Sequence, residues 1–252
     1  MPPDINFTEE DIARLDNLLA GWAAVSEEEE ENGHNVSVYF KDLESGAEYI
    51  YNGERKILIA SLNKAPYAMY LYHLIDEGKA RAEETFYVTH EMLASSLENS
   101  GRIKDDPTLP RNYTLEELVF NLIRYSDTGA LRILLGRYPA VGYREYVADF
   151  GLHYPDDVRD VINSRITALD AGVYLQHMYD YMLDADNGKV YKEHLLNAQY
   201  PMIRSAHPVA HKYGWEVNAY HDMAVVFAPH PYILAILTDK SAGTPAELGM
   251  FS

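Results

Sequence analysis

Strand-like patterning falls only near the two ends of this 252-residue chain, and the stretch between them reads as helix and loop. Val36–Phe40 and Glu48–Tyr51 alternate apolar and polar residues around the turn residues of Asp42–Gly46, which predicts a hairpin. Far along the chain, Val209–Val217, His221–Phe227 and Tyr232–Thr238 are three more β-rich runs. The connections between them, Asn218–Tyr220 and Pro229-His230-Pro231, are short, so neighbouring runs pair antiparallel. Segments too short to bury a face alone must share a sheet. The order therefore predicts an α+β fold: a five-stranded antiparallel sheet built from both chain ends, flanked by helices, with an all-helical lobe inserted. The sheet lobe takes about residues 1–60 and 205–252, and the helical lobe about 61–204.

Helical periodicity supports this division. Ile12, Leu15, Leu18, Leu19 and Trp22 recur at helical spacing over Glu10–Val25, and Thr8 with Asp11 resembles a capping box. A helix is expected from Ser61 to about Glu77, stopped by Gly78. Thr114 to Glu117 opens another with a capping-box pattern; Leu118, Leu122 and Ile123 give its apolar face, and Gly129 is expected to break it. Ala130–Arg137, Tyr143–Phe150 and Thr167–Leu183 read as further helices, whereas Lys79–Asn112 and Tyr154–Arg165 carry few periodic signals. On the outer face of the sheet, only Pro245–Phe251 remains after the last strand, which predicts that the first helix is left partly uncovered or is covered by a partner chain.

Composition narrows the function classes. With 39 acidic and 21 basic residues, the formal charge of −18 disfavours nucleic acid and anionic membranes as partners. The absence of cysteine removes disulfides and thiolate metal sites. No apolar run reaches the ~18 residues of a membrane-spanning helix. Met1-Pro2-Pro3-Asp4 lacks the basic and apolar regions of a signal peptide. The five glutamates of Ser26–Gly33 read as a solvated connector. His207 and His211 stand four apart, but on a strand that spans about 13 Å, too far to share one ion. No metal or cofactor is expected. The 21 tyrosines scatter along the chain without a local cluster.

Three short stretches carry residues suited to acyl transfer. In Ser61-Leu62-Asn63-Lys64, a serine at an apparent helix start stands one turn from a lysine. Ser61 supplies a nucleophilic oxygen, and Lys64, if desolvated, accepts its proton. Free N–H groups at a helix start suit an oxyanion, although Ser61 also suits a plain N-cap. Ser126-Asp127-Thr128 sits at a helix end, and His211-Lys212-Tyr213-Gly214-Trp215 on a strand. Two lysines brought close depress one another's pKa, which helps one serve as a base.

The order and setting of these stretches resemble the penicillin-recognising serine hydrolases, and most closely the class A β-lactamases, whose signature is S-x-x-K, S-D-N and K-T-G. The first motif matches fully and the others at two positions of three, within a resemblance covering roughly Asn35–Thr238. It implies that Ser61 forms an acyl-enzyme, that Lys64 accepts its proton, and that Ser126 passes a proton to the leaving nitrogen. It further implies that Lys212 holds Ser126 and a substrate carboxylate, and that the N–H groups of Ser61 and Trp215 form the oxyanion hole. Thr128, Tyr213, Gly214 and Trp215 would bind the substrate, a β-lactam or a peptidoglycan-type peptide. The resemblance also implies an extracytoplasmic protein whose export signal is not part of this chain; composition leaves a cytoplasmic location open.

Three departures bear on activity. Thr128 replaces an asparagine that donates to the substrate amide, and Tyr213 replaces a threonine or serine. The family's deacylating glutamate has no counterpart between Tyr154 and Arg165, where Asp156, Asp157 and Asp160 are the only carboxylates and read as solvated. The expectation is a serine hydrolase that is acylated by β-lactam amides and deacylates slowly. The alternatives are a D-alanyl-D-alanine carboxypeptidase or transpeptidase, a non-catalytic module that kept the fold and, more weakly, a glutaminase.

Overall fold

The computed structural model describes residues 7–24, 36–94, 100–158, 161, 164–216 and 219–239. Helix α1 (Glu9–Ala24) precedes the hairpin of β1 (Val36–Asp42) and β2 (Glu48–Tyr51). There follow β3 (Ile57–Leu58), α2 (Lys64–Asp76), β4 (Thr85–Val88), α3 (His90–Ala94) and β5 (Arg111–Thr114). Then come α4 (Leu115–Arg124), α5 (Thr128–Arg137), α6 (Ala140–Val147), β6 (Arg165–Ile166), α7 (Ala168–Asp184) and α8 (Gly188–Leu196). The chain returns to the sheet with β7 (Val209–Glu216), β8 (Ala219–Val226) and β9 (Tyr232–Thr238).

The five long strands form one antiparallel sheet in the order β2-β1-β9-β8-β7. Pairing of β1 with β9, from Val36 opposite Thr238 to Asp42 opposite Tyr232, joins the two ends of the chain. The two-residue side-chain period assigns the faces. Val36, Val38, Leu234 and Ile236 cluster with Leu19 of α1 on one face. Tyr39, Ile233, Ala235 and Leu237 enter the main core with α2 and α7 on the other. On β7 Lys212 and Gly214 point toward the helices, while Tyr213 packs with Met202 and Tyr220 at the edge of the sheet.

Both expected capping boxes form. Thr8 and Asp11 exchange side-chain and backbone bonds, as do Thr114 and Glu117. On α1, Leu19 is buried but Ile12 and Leu18 remain 40% and 65% exposed. The segment 245–251, on which the expectation of an uncovered α1 depended, lies outside the described residues.

Some expectations are corrected. The helix expected from Ser61 begins at Lys64, because Leu62, Lys64 and Ala65 donate three residues back, in a tight turn that leads into α2. Its N-cap is Asn63, not Ser61. Gly129 does not break the helix; the break falls at Tyr125–Asp127, and Asp127 caps α5 by accepting from the Ala130 N–H at 2.8 Å. The poorly patterned stretch 79–112 holds β4, α3 and part of β5, and α8 was not expected. Among the described residues no helix is long and apolar enough to cross a membrane.

Candidate active site

Helix α2 is buried from Lys64 through Tyr72, so it is apolar around its circumference rather than along one stripe. It carries Lys64 into the interior, 1% exposed. The Lys64 Nζ donates to the Ser126 carbonyl at 2.5 Å, to Ser126 Oγ at 3.3 Å and to Thr128 Oγ1 at 3.3 Å. From the sheet, the fully buried Lys212 donates to the same Ser126 Oγ at 3.0 Å and to the Tyr213 carbonyl at 2.7 Å. Two lysines thus converge on one serine hydroxyl from opposite lobes. Ser61, half-buried, lines a cleft of about 340 Å³ together with Ser126, Tyr213 and Trp215.

Burial dominates the electrostatics. Desolvation pulls Lys64 from 10.5 down to about 7, against the opposing pull of Asp127 and Glu216. Lys212 is driven well below its usual value, first by desolvation and then by repulsion from Lys64. A lysine near 7 exchanges protons at neutral pH, as a base must.

The position of Ser61 is fixed from several sides. Ile59 N–H donates to the Ser164 carbonyl at 3.0 Å, and buried His221 on β8 bonds the Leu58 carbonyl through Nε2 at 2.7 Å. The His221 Nδ1 accepts from the Thr238 N–H at 3.0 Å, and burial lowers the ring's pKa to about 4, so the imidazole is neutral. A Cβ at Gly214 would stand 3.2 Å from the Ile59 carbonyl and from Leu62 Cγ. Glycine at this strand position therefore lets β7 lie against the turn that carries Ser61, with Trp215 beside it.

The second stretch is locked to a neighbouring loop. Asp127 Oδ2 accepts from the N–H groups of Arg102 at 2.6 Å and Ile103 at 2.9 Å. Thr128 N–H donates to the Ser100 carbonyl at 3.0 Å, and the Ser100 and Thr128 hydroxyls lie 2.7 Å apart. Gly101, at φ +107°, sits so close to the Asp127 carboxylate that a side chain has no room. Thr128 is spent on Lys64 and Ser100 and is buried, so it does not stand in the cleft as a free substrate donor. Tyr213 is buried as well; its ring lies 3.9 Å under the Lys212 ammonium nitrogen and meets Tyr200 edge-on.

Sequence reading missed part of the cleft. Ser100, Gly101, Arg102, Tyr125, Gln199 and Tyr200 complete its wall. The tyrosines that look scattered in sequence do converge here: Tyr125, Tyr200 and Tyr213 face the cleft with Trp215. Their spacing in sequence carries no sign of this, because tertiary packing sets their positions. His211 is not in the wall; it is buried against Asp222, with Nδ1 3.0 Å from the carboxylate. The other Asp222 oxygen accepts from the Met202 and Ile203 N–H groups, which anchors the segment carrying Gln199 and Tyr200. In the loop before α7, Asp156 is exposed and Asp157 pairs with Lys56 at 2.7 Å, whereas Asp160 lies outside the described residues.

Comparison with solved structures returns the same fold. A mutant of PBP-A captured as an acyl-enzyme complex with penicillin G superposes with a TM-score of 0.77 at 17% identity, over 100% of this chain and 95% of that one. A β-lactamase from Sphaerobacter thermophilus gives 0.77 at 18% identity, covering 92% and 93%. An ancestral class A β-lactamase gives 0.75 at 17% identity, covering 94% and 96%. No curated protein matches the chain. The β-lactamase enzyme family matches residues 21–250, nearly the whole sequence, and the chain belongs to that family.

Proposed function

We propose that the protein is a serine hydrolase of the β-lactamase or penicillin-binding type that is acylated on Ser61 and deacylates slowly. The observation that carries this reading is the pair of buried lysines on Ser126 Oγ, at the wall of the cleft that Ser61 lines. Ser61 Oγ attacks the carbonyl carbon of the amide, and its proton passes to neutral Lys64. The oxyanion is held by the N–H groups of Ser61 and Trp215. When the carbon–nitrogen bond breaks, Ser126 protonates the leaving nitrogen and is reprotonated through the lysines that bond it. The product is a serine ester.

Hydrolysis of that ester needs a water held and deprotonated beside it. Of the three carboxylates between Tyr154 and Arg165, Asp156 is exposed, Asp157 is ion-paired with Lys56 at 2.7 Å, and Asp160 lies outside the described residues. Loss of a general base typically slows a step by about 10²–10⁴-fold. A D-alanyl-D-alanine carboxypeptidase or transpeptidase, which must hold its acyl-enzyme long enough for a chosen acceptor, fits the same observation and is the second reading.

Incubation with a fluorescent penicillin, followed by intact mass over time, tests the proposal. A stoichiometric adduct on wild type that persists, and is absent from Ser61→Ala, supports it. No adduct refutes the acylation step. An adduct that never accumulates during rapid β-lactam turnover refutes slow deacylation.

A further inference from the structure

Resting on that proposed function for its kinetic readout, we infer that His211 is an imidazolium ion and that, with Asp222, it clamps the part of the cleft wall formed by Gln199 and Tyr200. Both ring nitrogens of His211 face acceptors. Nδ1 stands 3.0 Å from Asp222 Oδ1, and Nε2 stands 3.3 Å from the Ala198 carbonyl oxygen. A carbonyl or an ionised carboxylate only accepts, and a neutral imidazole has a single N–H to give. The two bonds therefore form together only when both nitrogens carry protons. The side chains of His211 and Asp222 are 2% and 1% exposed. An imidazolium against a carboxylate leaves this buried pair without net charge.

The pair grips the wall at both ends. On one side His211 holds the Ala198 carbonyl, next to Gln199, whose N–H donates to the Arg124 carbonyl at 3.0 Å. On the other, Asp222 Oδ2 accepts from the N–H groups of Met202 and Ile203, each at 3.0 Å. Between the grips Gln199 and Tyr200 line the cleft, and Tyr200 is held at φ 55°. A residue strained in this way stays in place only while its surroundings over-determine it. A ring that has lost a proton serves one acceptor instead of two, and one grip opens. His211 lies outside the cleft, so it acts as a positioning residue.

Other charged and titratable groups surround the pair. On β7, Lys212 bonds Ser126 Oγ and Tyr213 packs on Tyr200. On β8, His221 bonds the Leu58 carbonyl, and Tyr220 feels the charge of Asp222. In the clamped segment, Arg204 bonds the Pro201 carbonyl at 3.3 Å. Helix α8, packed on β7, directs His194 to Glu116, Tyr191 to the Ala65 carbonyl and Lys192 to the Phe227 ring.

Nitrogen NMR of the full chain, labelled at histidine, reads the ring directly, with the His211 signals assigned from their loss in His211→Gln. At pH 6 the ring is expected to show two N–H protons, both slow to exchange with solvent. A single protonated nitrogen, as in a neutral ring facing a protonated Asp222, overturns the inference. Acylation by benzylpenicillin over a concentration series, followed by intact mass, separates the dissociation constant of the first complex from the acylation rate constant. In wild type the dissociation constant is expected to rise as NMR shows the ring losing a proton. His211→Leu, which has no donor, is expected to weaken binding roughly tenfold at every pH, in line with one charge-assisted hydrogen bond, and to keep the rate constant within about twofold. His211→Gln keeps an N–H for the Ala198 carbonyl but no titrating proton, and is expected to bind near the wild-type level without pH dependence. A dissociation constant that ignores the titration of the ring, or a loss in His211→Leu carried by the rate constant instead, overturns the clamp. The wild-type measurements decide this even where His211→Leu fails to fold. No adduct on wild type refutes the proposed function and removes the clamp's role in binding, and the NMR still decides the charge of the ring.

Discussion

Replacing Lys64 with methionine is expected to stabilise the protein while abolishing acylation. Lys64 is 1% exposed, and burial lowers its pKa from 10.5 to about 7. Between these values the unfolded chain binds a proton that the folded chain does not, so stability rises with pH across the interval. At pH 7 the lysine therefore costs the fold roughly 5 kcal/mol, at about 1.36 kcal/mol per pH unit. At pH 9 the same arithmetic leaves roughly 2 kcal/mol. Methionine has a similar length and carries no charge. It gives up the hydrogen bonds of Nζ, but their acceptors keep partners: Ser100 Oγ bonds the Ser126 carbonyl at 3.1 Å and lies 2.7 Å from Thr128 Oγ1, and Lys212 stays on Ser126 Oγ. Allowing about 1–2 kcal/mol for those losses, the Lys64→Met variant gains about 3 kcal/mol at pH 7 and almost nothing at pH 9. Urea unfolding of wild type and variant at both pH values measures the difference directly. A variant less stable than wild type at pH 7, or a gain equal at both pH values, would show that the lysine is not held against its own desolvation.

Three other outcomes follow from the same geometry. Acylation of wild type by a reporter cephalosporin is expected to rise with pH through about 7 as Lys64 loses its proton; a single-turnover profile flat from pH 5.5 to 8 would remove it as the base. Asp127→Ala deletes the cap of α5 and two backbone bonds, at Arg102 and Ile103, and is expected to cost about 2–4 kcal/mol in denaturant unfolding; a loss below about 1 kcal/mol would mean that water replaces all three. Gly214→Ala pushes β7 off the turn that carries Ser61 and is expected to slow acylation more than tenfold for about 1 kcal/mol of stability; equal loss of both, judged from the unfolding midpoint, would make Gly214 merely a packing residue.

Much of this fold is local in origin, and that part was legible in sequence. Thr8 with Asp11, and Thr114 with Glu117, satisfy helix N–H groups within four residues, so the bonds follow from spacing alone. The long strands show their two-residue period because one face meets α1 and the other meets the helices. Strands β3 and β6 are two residues each, too short to show a period at all, and exist because Ile57 and Ile166 are brought together by the rest of the fold. The break before α5 falls at Asp127 rather than at Gly129 because capping outweighs the cost of a glycine there. Asp127 supplies a strong N-cap, whereas Gly129 is tolerated inside the first turn. Within the site, the lysines and serines were visible as motifs. The wall was not, since Arg102, Tyr125 and Tyr200 reach it through tertiary contacts that no spacing encodes.

Those tertiary contacts also explain where the backbone is strained. Among the described residues, four that are not glycine have positive φ: Asn52 at 48°, Ala60 at 50°, Ser126 at 52° and Tyr200 at 55°. Ser126 and Tyr200 line the cleft, and Ala60 immediately precedes Ser61. Each such residue costs on the order of 1–3 kcal/mol and persists only where its surroundings over-determine it. Ala60 lies between Ile59, bonded to Ser164, and the turn bond from Lys64 back to Ser61. Ser126 has its carbonyl held by Lys64 and Ser100 and its hydroxyl by Lys212. Tyr200 is flanked by Gln199, bonded to the Arg124 carbonyl, and by Met202 and Ile203 on Asp222. The strain is therefore held by hydrogen bonds within the protein itself, several of them made by residues of the cleft wall. Under the proposed function, Ser61, Ser126 and one wall of the cleft are set before binding, so binding energy is left for the transition state rather than for assembling the site.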